Sequence, residues 1–132
     1  MLVFVDTSAL FAILDADDAA HLKAKDQWSS LLPSEQVLIC SNYVVLESFA
    51  LIQRRLGIQA LRALLEDILP LINVEWVDET THLAGVTALL AAFDRKLSLV
   101  DATSFVLMRK LGIKDSFTYD KHFIEEGFNC LT

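Results

Sequence analysis

Four carboxylates in this 132-residue chain either close short apolar runs or stand alone inside one. Asp6 ends Leu2-Val3-Phe4-Val5, Asp101 ends Leu97-Ser98-Leu99-Val100, and Asp120 follows Phe117-Thr118 by two positions. Glu47 is the lone acid in Tyr43-Val44-Val45-Leu46-Glu47-Ser48-Phe49-Ala50-Leu51-Ile52. Acids that converge repel one another and raise each other's pKa values unless a cation sits among them. Hard divalent ions prefer carboxylate, carbonyl and water oxygens. Two such ions roughly 3.5–4 Å apart activate water on one side of a phosphodiester and stabilise the leaving oxygen on the other. Metal-assisted phosphodiester hydrolysis is therefore the chemistry these residues offer if the fold gathers them.

Each acid also has a structural use. Asp6 before Thr7-Ser8-Ala9 and Asp101 before Ala102-Thr103-Ser104 suit helix caps, and Asp120 before Lys121-His122-Phe123 suits a turn. Glu47 differs, because a glutamate in an apolar helix is rarely buried unless paired or metal-bound. Arg54 or Arg55 is the available structural partner, and the ligand role is favoured over it.

The elements that must position these acids read as alternating short strands and helices. Leu2–Val5, Val37–Cys40, Val74–Val77, Phe117-Thr118 and Phe128–Cys130 are the predicted strands. Between them the pattern predicts a helix Ala9–Leu14 and a second one to about Leu32, with an acidic start at Asp15, Asp17 and Asp18. Leu22, Trp28, Leu31 and Leu32 should form the apolar side of that second helix. Further helices are predicted after the Ser41-Asn42 cap through Arg55, from Gln59 to about Leu69, from Thr80 to about Phe93, and from Asp101 to Leu111. Apolar strands alternating with helices imply a single α/β domain over residues 1–132, its parallel sheet covered by helices on both faces. Ligands of such sheets bind outside the carboxyl ends of the strands, where Asp6, Asp101 and Asp120 fall.

Composition removes several alternatives. With 18 acidic against 11 basic residues the net charge is −7, so no broad positive face can hold a polyanion. Phosphate must instead be met by metal and by a few local cations, of which Arg95, Lys96 and Lys121 lie beside the acids. The longest stretch free of charged residues, Thr80–Phe93, has 14 residues, short of the roughly 20 a spanning helix needs, and reads as a buried core helix. The opening Met1–Val5 has no basic leader, so no signal peptide is expected. Cys40 and Cys130 lie in apolar runs and read as free thiols of a reducing cytoplasm. His21, His82 and His122 lack zinc-type spacing and are assigned to surface or core. No glycine-rich phosphate loop or serine elbow occurs. An aspartyl-phosphate phosphatase wants a second Asp two places after the first, where this chain has Ser8. A hydrophobic fraction of 54% is high for so short a chain and predicts apolar surface covered by a partner.

Taken together, Val5-Asp6-Thr7-Ser8-Ala9-Leu10, Tyr43–Glu47, Leu97–Ala102 and Phe117–Phe123 resemble the PIN-domain family, in particular its VapC-type toxins, across essentially the whole chain. The resemblance implies a PIN-like three-layer fold with a five-stranded parallel sheet. It also implies a Mg²⁺- or Mn²⁺-dependent ribonuclease leaving 5′-phosphate and 3′-hydroxyl ends. By position it makes Asp6, Glu47, Asp101 and Asp120 the acidic metal site, with Asp6 and Asp101 the main ligands. Thr7, Ser8 and Thr118 become hydroxyls that orient carboxylates or waters, and Asp94 a residue beside the site. A homodimer and a small antitoxin are the implied partners, the helices Asn42–Arg55 and Gln59–Leu69 offering the groove. An RNA-processing nuclease without an antitoxin, a non-catalytic binding module and a metal-dependent phosphatase are the competing readings.

Overall fold

The run Leu2–Val5 forms β1, and Val3, Phe4 and Val5 are wholly buried because this strand is the middle of the sheet. In the computed structural model, which describes residues 1–94 and 96–131, β2 (Val37–Ser41), β3 (Asn73–Glu75), β4 (Asp115–Phe117) and β5 (Asn129–Leu131) complete a five-stranded parallel sheet ordered β3-β2-β1-β4-β5. Phe4 pairs with Ile39 on one side and Ser116 on the other. The chain leaves β1 toward β2 and β3, then returns to add β4 and β5 on the opposite side. Connections therefore depart in opposite directions from the carboxyl ends of β1 and β4, the switch point at which such sheets open a crevice.

Helices α1 (Thr7–Leu14), α2 (His21–Leu31), α3 (Asn42–Leu56), α4 (Ile58–Ala63), α5 (Glu79–Ala92), α6 (Leu99–Leu111) and α7 (Lys121–Glu125) flank the sheet. Local chemistry sets their ends. The Ser41 hydroxyl accepts from the Val44 amide at 3.2 Å to start α3, and Gly57, with φ of 87°, ends it in a conformation other residues resist.

Several boundaries differ from expectation. Asp15–Ala20 is turn rather than helix, because the Asp18 carboxylate accepts from the Ala20 amide at 2.8 Å; α2 begins only at His21. Trp28 and Leu31 face the core as expected, but Leu22 is 76% exposed and Leu32 also faces solvent. The helix expected over Gln59–Leu69 is α4 followed by a π-type turn (Leu64–Ile68) and a 3-10 turn (Leu69–Leu71). Pro70 has no N–H to continue the helical pattern, and the wider turn buries both Leu64 and Ile68. α7 was not expected from sequence.

The largest correction concerns α5. It is not a buried core helix, since only Thr81 and Gly85 are buried while Leu83, Leu90 and Phe93 are exposed. Its contact with α6 is close because Gly85 lies against Thr103: a methyl group there would overlap the Thr103 hydroxyl and sit 3.1 Å from its Cα. Gly85→Ala is expected to destabilise the protein by about 2 kcal/mol, read as a lower urea midpoint at unchanged slope.

Both cysteines are free, and burial pushes the Cys40 thiol up to about 12, leaving it unreactive. Among the described residues no helix is long and apolar enough to cross a membrane.

Candidate metal centre

Asp6 is where β1 ends and α1 begins, and its amide still donates to Phe117 of β4 at 3.1 Å. The residue is 3% exposed and lies at the switch point. Oδ2 accepts from the Ser8 hydroxyl at 2.8 Å, from the Ser8 amide at 3.4 Å and from the Thr118 hydroxyl at 3.0 Å. Both hydroxyls are aimed by backbone donors: the Tyr119 amide gives its hydrogen to Ser8 Oγ at 2.9 Å, and the Asp120 amide to Thr118 Oγ1 at 3.0 Å. All of this falls on one oxygen. Oδ1 has no hydrogen-bond partner among the described residues.

The other acids repeat the arrangement. Asp101 sits in the first turn of α6, not before it, because Ser98 is the residue that caps. The Ser98 hydroxyl accepts from the Asp101 amide at 3.0 Å, and Asp101 Oδ2 accepts from the Ser98 amide at 3.2 Å. Asp120 caps α7, its Oδ1 accepting from the His122 amide at 3.0 Å. Asp6 and Asp120 therefore cap helices, while Asp101, expected as a cap, is instead the third helical residue paired with the Ser98 cap; in each of these three aspartates one oxygen serves the backbone or its neighbours while the second is left without a partner among the described residues. Glu47 forms no ion pair with Arg54 or Arg55 among the described residues, contrary to its structural alternative.

The four acids are near enough for charge to act between them, although Asp6 and Glu47 are not in the tightest group, which is Asp101, Asp120 and His122. Burial, with Asp101 adding to it, raises Asp6 to about 7. Burial also raises Glu47, and Asp101 and Asp120 push it further while the Thr7 hydroxyl opposes. Asp101 is raised by burial and by Asp120, against its bonds to Ser98. One atom each of Asp101, Asp120 and His122 lies within 4.8 Å of the others. Two buried carboxylates, Asp6 and Asp101, with the half-buried Glu47 and Asp120 beside them and aspartate oxygens in reserve, are a donor set that fits a hard divalent cation.

Thr7 stands apart from Ser8 and Thr118. Its hydroxyl accepts from Ser48 at 3.3 Å and donates to the Val44 carbonyl at 3.5 Å, tying α1 to α3 next to Glu47. Lys96 and Lys121 are exposed near Asp94, whose carboxylate accepts from the Lys96 amide at 2.9 Å. Arg95 lies outside the described residues.

His122 was assigned to surface or core from sequence, yet it belongs to this centre. Nδ1 meets Asp120 Oδ1 at 2.7 Å and Nε2 meets Asp94 Oδ2 at 3.1 Å. Burial works against its charged form, but the two carboxylates prevail and raise its pKa. Its only sequence signal is a position two residues after Asp120. The partner that identifies it, Asp94, is 28 positions away.

The sequence pattern of the PIN domain family matches residues 3–128 of this chain. The 23S rRNA-specific endonuclease VapC20 of Mycobacterium tuberculosis, in strains H37Rv and CDC 1551, is 37% identical over 128 residues, covering 96% of this chain and 95% of that protein. The crystal structure of Mycobacterium tuberculosis VapC20, described as a Sarcin-Ricin loop cleaving toxin, superposes with a TM-score of 0.85 over 96% of this chain and 95% of that one. The structure of FitAcB from Neisseria gonorrhoeae, 15% identical, covers all of this chain and 97% of its own with a TM-score of 0.69, a likeness of fold.

Proposed function

This chain belongs to the PIN-domain family, and from that premise we propose that residues 1–132 form one domain acting as a divalent-metal-dependent endoribonuclease of the VapC toxin type. The observation that supports the reading is the gathering of carboxylates near the β1/β4 switch point, Asp6 and Asp101 buried and Asp120 half-buried, each of these aspartates keeping one oxygen without a partner among the described residues.

Asp6 and Asp101 would be the main holders of Mg²⁺ or Mn²⁺, with Glu47 and Asp120 completing the shell. Such an ion, when bound, lowers the pKa of water to within reach of neutrality and offsets charge on the departing oxygen. The chain's own part is orientation. Ser8 and Thr118 hold Asp6, Ser98 holds Asp101, and His122 holds Asp120, so that little rearrangement accompanies binding. Burial around Asp6 keeps water from screening the centre. Lys96 and Lys121, with Arg95, are the cations assigned to RNA phosphates.

RNA is the substrate class, and the 23S rRNA cut by the Mycobacterium relative is the first target to try. A groove of about 630 Å³ between α3 and β3, lined by Val45, Leu46, Phe49, Leu69, Val74 and Trp76, suits an apolar antitoxin helix. The exposed Leu83, Leu90 and Phe93 around α5 suit a second copy of the chain. Its free thiols suit the cytoplasm.

The test is RNA cleavage with Mg²⁺ or Mn²⁺, absent in chelator, yielding 5′-phosphate and 3′-hydroxyl ends. Faster hydrolysis of small phosphate monoesters than of RNA would favour a phosphatase instead. A second expectation concerns His122→Ala, which releases Asp120 and should weaken Mn²⁺ binding about tenfold, read by electron paramagnetic resonance of the free ion. Unchanged affinity would reduce His122 to a packing residue.

A further inference from the structure

A second cleft, of about 450 Å³, adjoins the carboxylates on the α3 side, with Tyr43, Glu47, Ala50, His82 and Val100 among its walls. Glu47 belongs to both the cleft and the acidic centre, and Val100 directly precedes Asp101. The ridge of Leu46 separates it from the larger groove along β3. Its lining is almost wholly apolar, which suits neither a phosphate nor a cation. Its polar groups lie on Glu47 and on an aromatic pair. Tyr43 and His82 meet edge to face with ring centres 5.9 Å apart, and the tyrosine hydroxyl shares a hydrogen bond with His82 Nδ1. Nε2 is then the ring nitrogen left without a partner among the described residues.

Resting on the nuclease reading above, we propose that this cleft is a nucleobase subsite, receiving a base next to the phosphate to be cut. A nucleobase has the chemistry the cleft asks for: a flat ring for apolar and aromatic walls, and an edge of donors and acceptors for His82 and Glu47. The position supplies the rest of the argument. A phosphodiester seated among Asp6, Asp101 and Glu47 carries a ribose and base on each side, and the cleft that shares Glu47 with that centre offers an apolar wall to one of them. An exposed cation, Arg54, lies two helical turns beyond Glu47 along the same face of α3, beside a further small cleft, where a following phosphate can be met. Base contacts here give the enzyme selectivity at one nucleotide, which an acidic protein cannot obtain from general attraction to RNA.

The experiment uses the Mn²⁺-loaded protein, an RNA oligonucleotide cut at one mapped bond, and the same oligonucleotide with abasic riboses flanking that bond. Wild type should cleave the base-bearing RNA about tenfold or more faster in kcat/KM. Ala50→Met, which fills the cleft with a good helix former, and His82→Ala should each bring that ratio close to one. Their melting temperatures report that both variants are folded. Equal cleavage of the two substrates by wild type would overturn the subsite, as would variants that keep the wild-type ratio, whatever their absolute rates. Loss of partner-protein binding in Ala50→Met with an unaltered ratio would make the cleft a protein dock and overturn it too. A wild type that cuts neither substrate fails differently: it removes the nuclease reading itself, and the subsite with it.

Discussion

Asp6→Asn combined with Asp101→Asn is expected to lower Mn²⁺-dependent RNA cleavage by at least about three orders of magnitude while leaving a folded protein. The two residues are the central ligands of the proposed centre, and metal assistance is worth several kcal/mol of barrier, each 1.36 of which is about tenfold in rate. Folding should survive because asparagine keeps the shape and one carbonyl acceptor at each site. Asp6 Oδ2 is the atom that receives Ser8 and Thr118, and an amide oxygen can take its place. Removing two buried, mutually repelling charges should even raise the melting temperature of the metal-free protein. Single-turnover cleavage and a thermal melt on the same preparation check both halves. Undiminished cleavage would take the assignment of the centre away.

The second large effect is a reversal of pH dependence by metal. Asp6 titrates near 7 in the folded protein against 3.8 for an ordinary aspartate, with burial the first cause. The native state therefore holds a proton that the unfolded chain has given up. Below about 4 both states are protonated and nothing is lost. As pH rises from about 4 to about 7, folded stability should fall, on the order of 4 kcal/mol from this group alone. Above 7 the loss is complete. A divalent ion binds the deprotonated form, so it restores stability where the proton is absent and competes poorly where it is present. At a hundred times its dissociation constant an ion adds about 2.7 kcal/mol, roughly 10 °C for a chain of this size at pH 8, and little at pH 5. Urea titrations across pH, with chelator or with Mn²⁺, measure this. A metal-free protein that grows more stable from pH 5 to 7, or a melting temperature indifferent to millimolar metal, would contradict the cluster.

Much of this was legible in the chain, and for definite reasons. Val3, Phe4 and Val5 announce a strand buried on both faces because nothing polar interrupts them, and Asp6 after them marks its carboxyl end. Glu47 is conspicuous among apolar neighbours. What could not be read depends on distant partners. Thr118 is seen to hold Asp6 only when β1 and β4 pair across 112 positions. His122 acquires meaning from Asp94, which arrives from the loop between α5 and α6. Helix α5 looked like core because no Asp, Glu, Lys or Arg occurs between Thr80 and Phe93. Composition cannot say that Gly85 is its close contact and that Leu83, Leu90 and Phe93 are left outside. α7 is only five residues long and carries no periodicity to detect.

The joining of Asp6 to Thr118 has one more consequence. A chain released before β4 is made, or cut between α1 and β4 so that the halves separate, holds Asp6 without the hydroxyl that steadies it and without Asp120. On the proposed centre, activity is therefore expected only in chains whose β1 and β4 have paired, and a chain severed between α1 and β4 should cut no RNA.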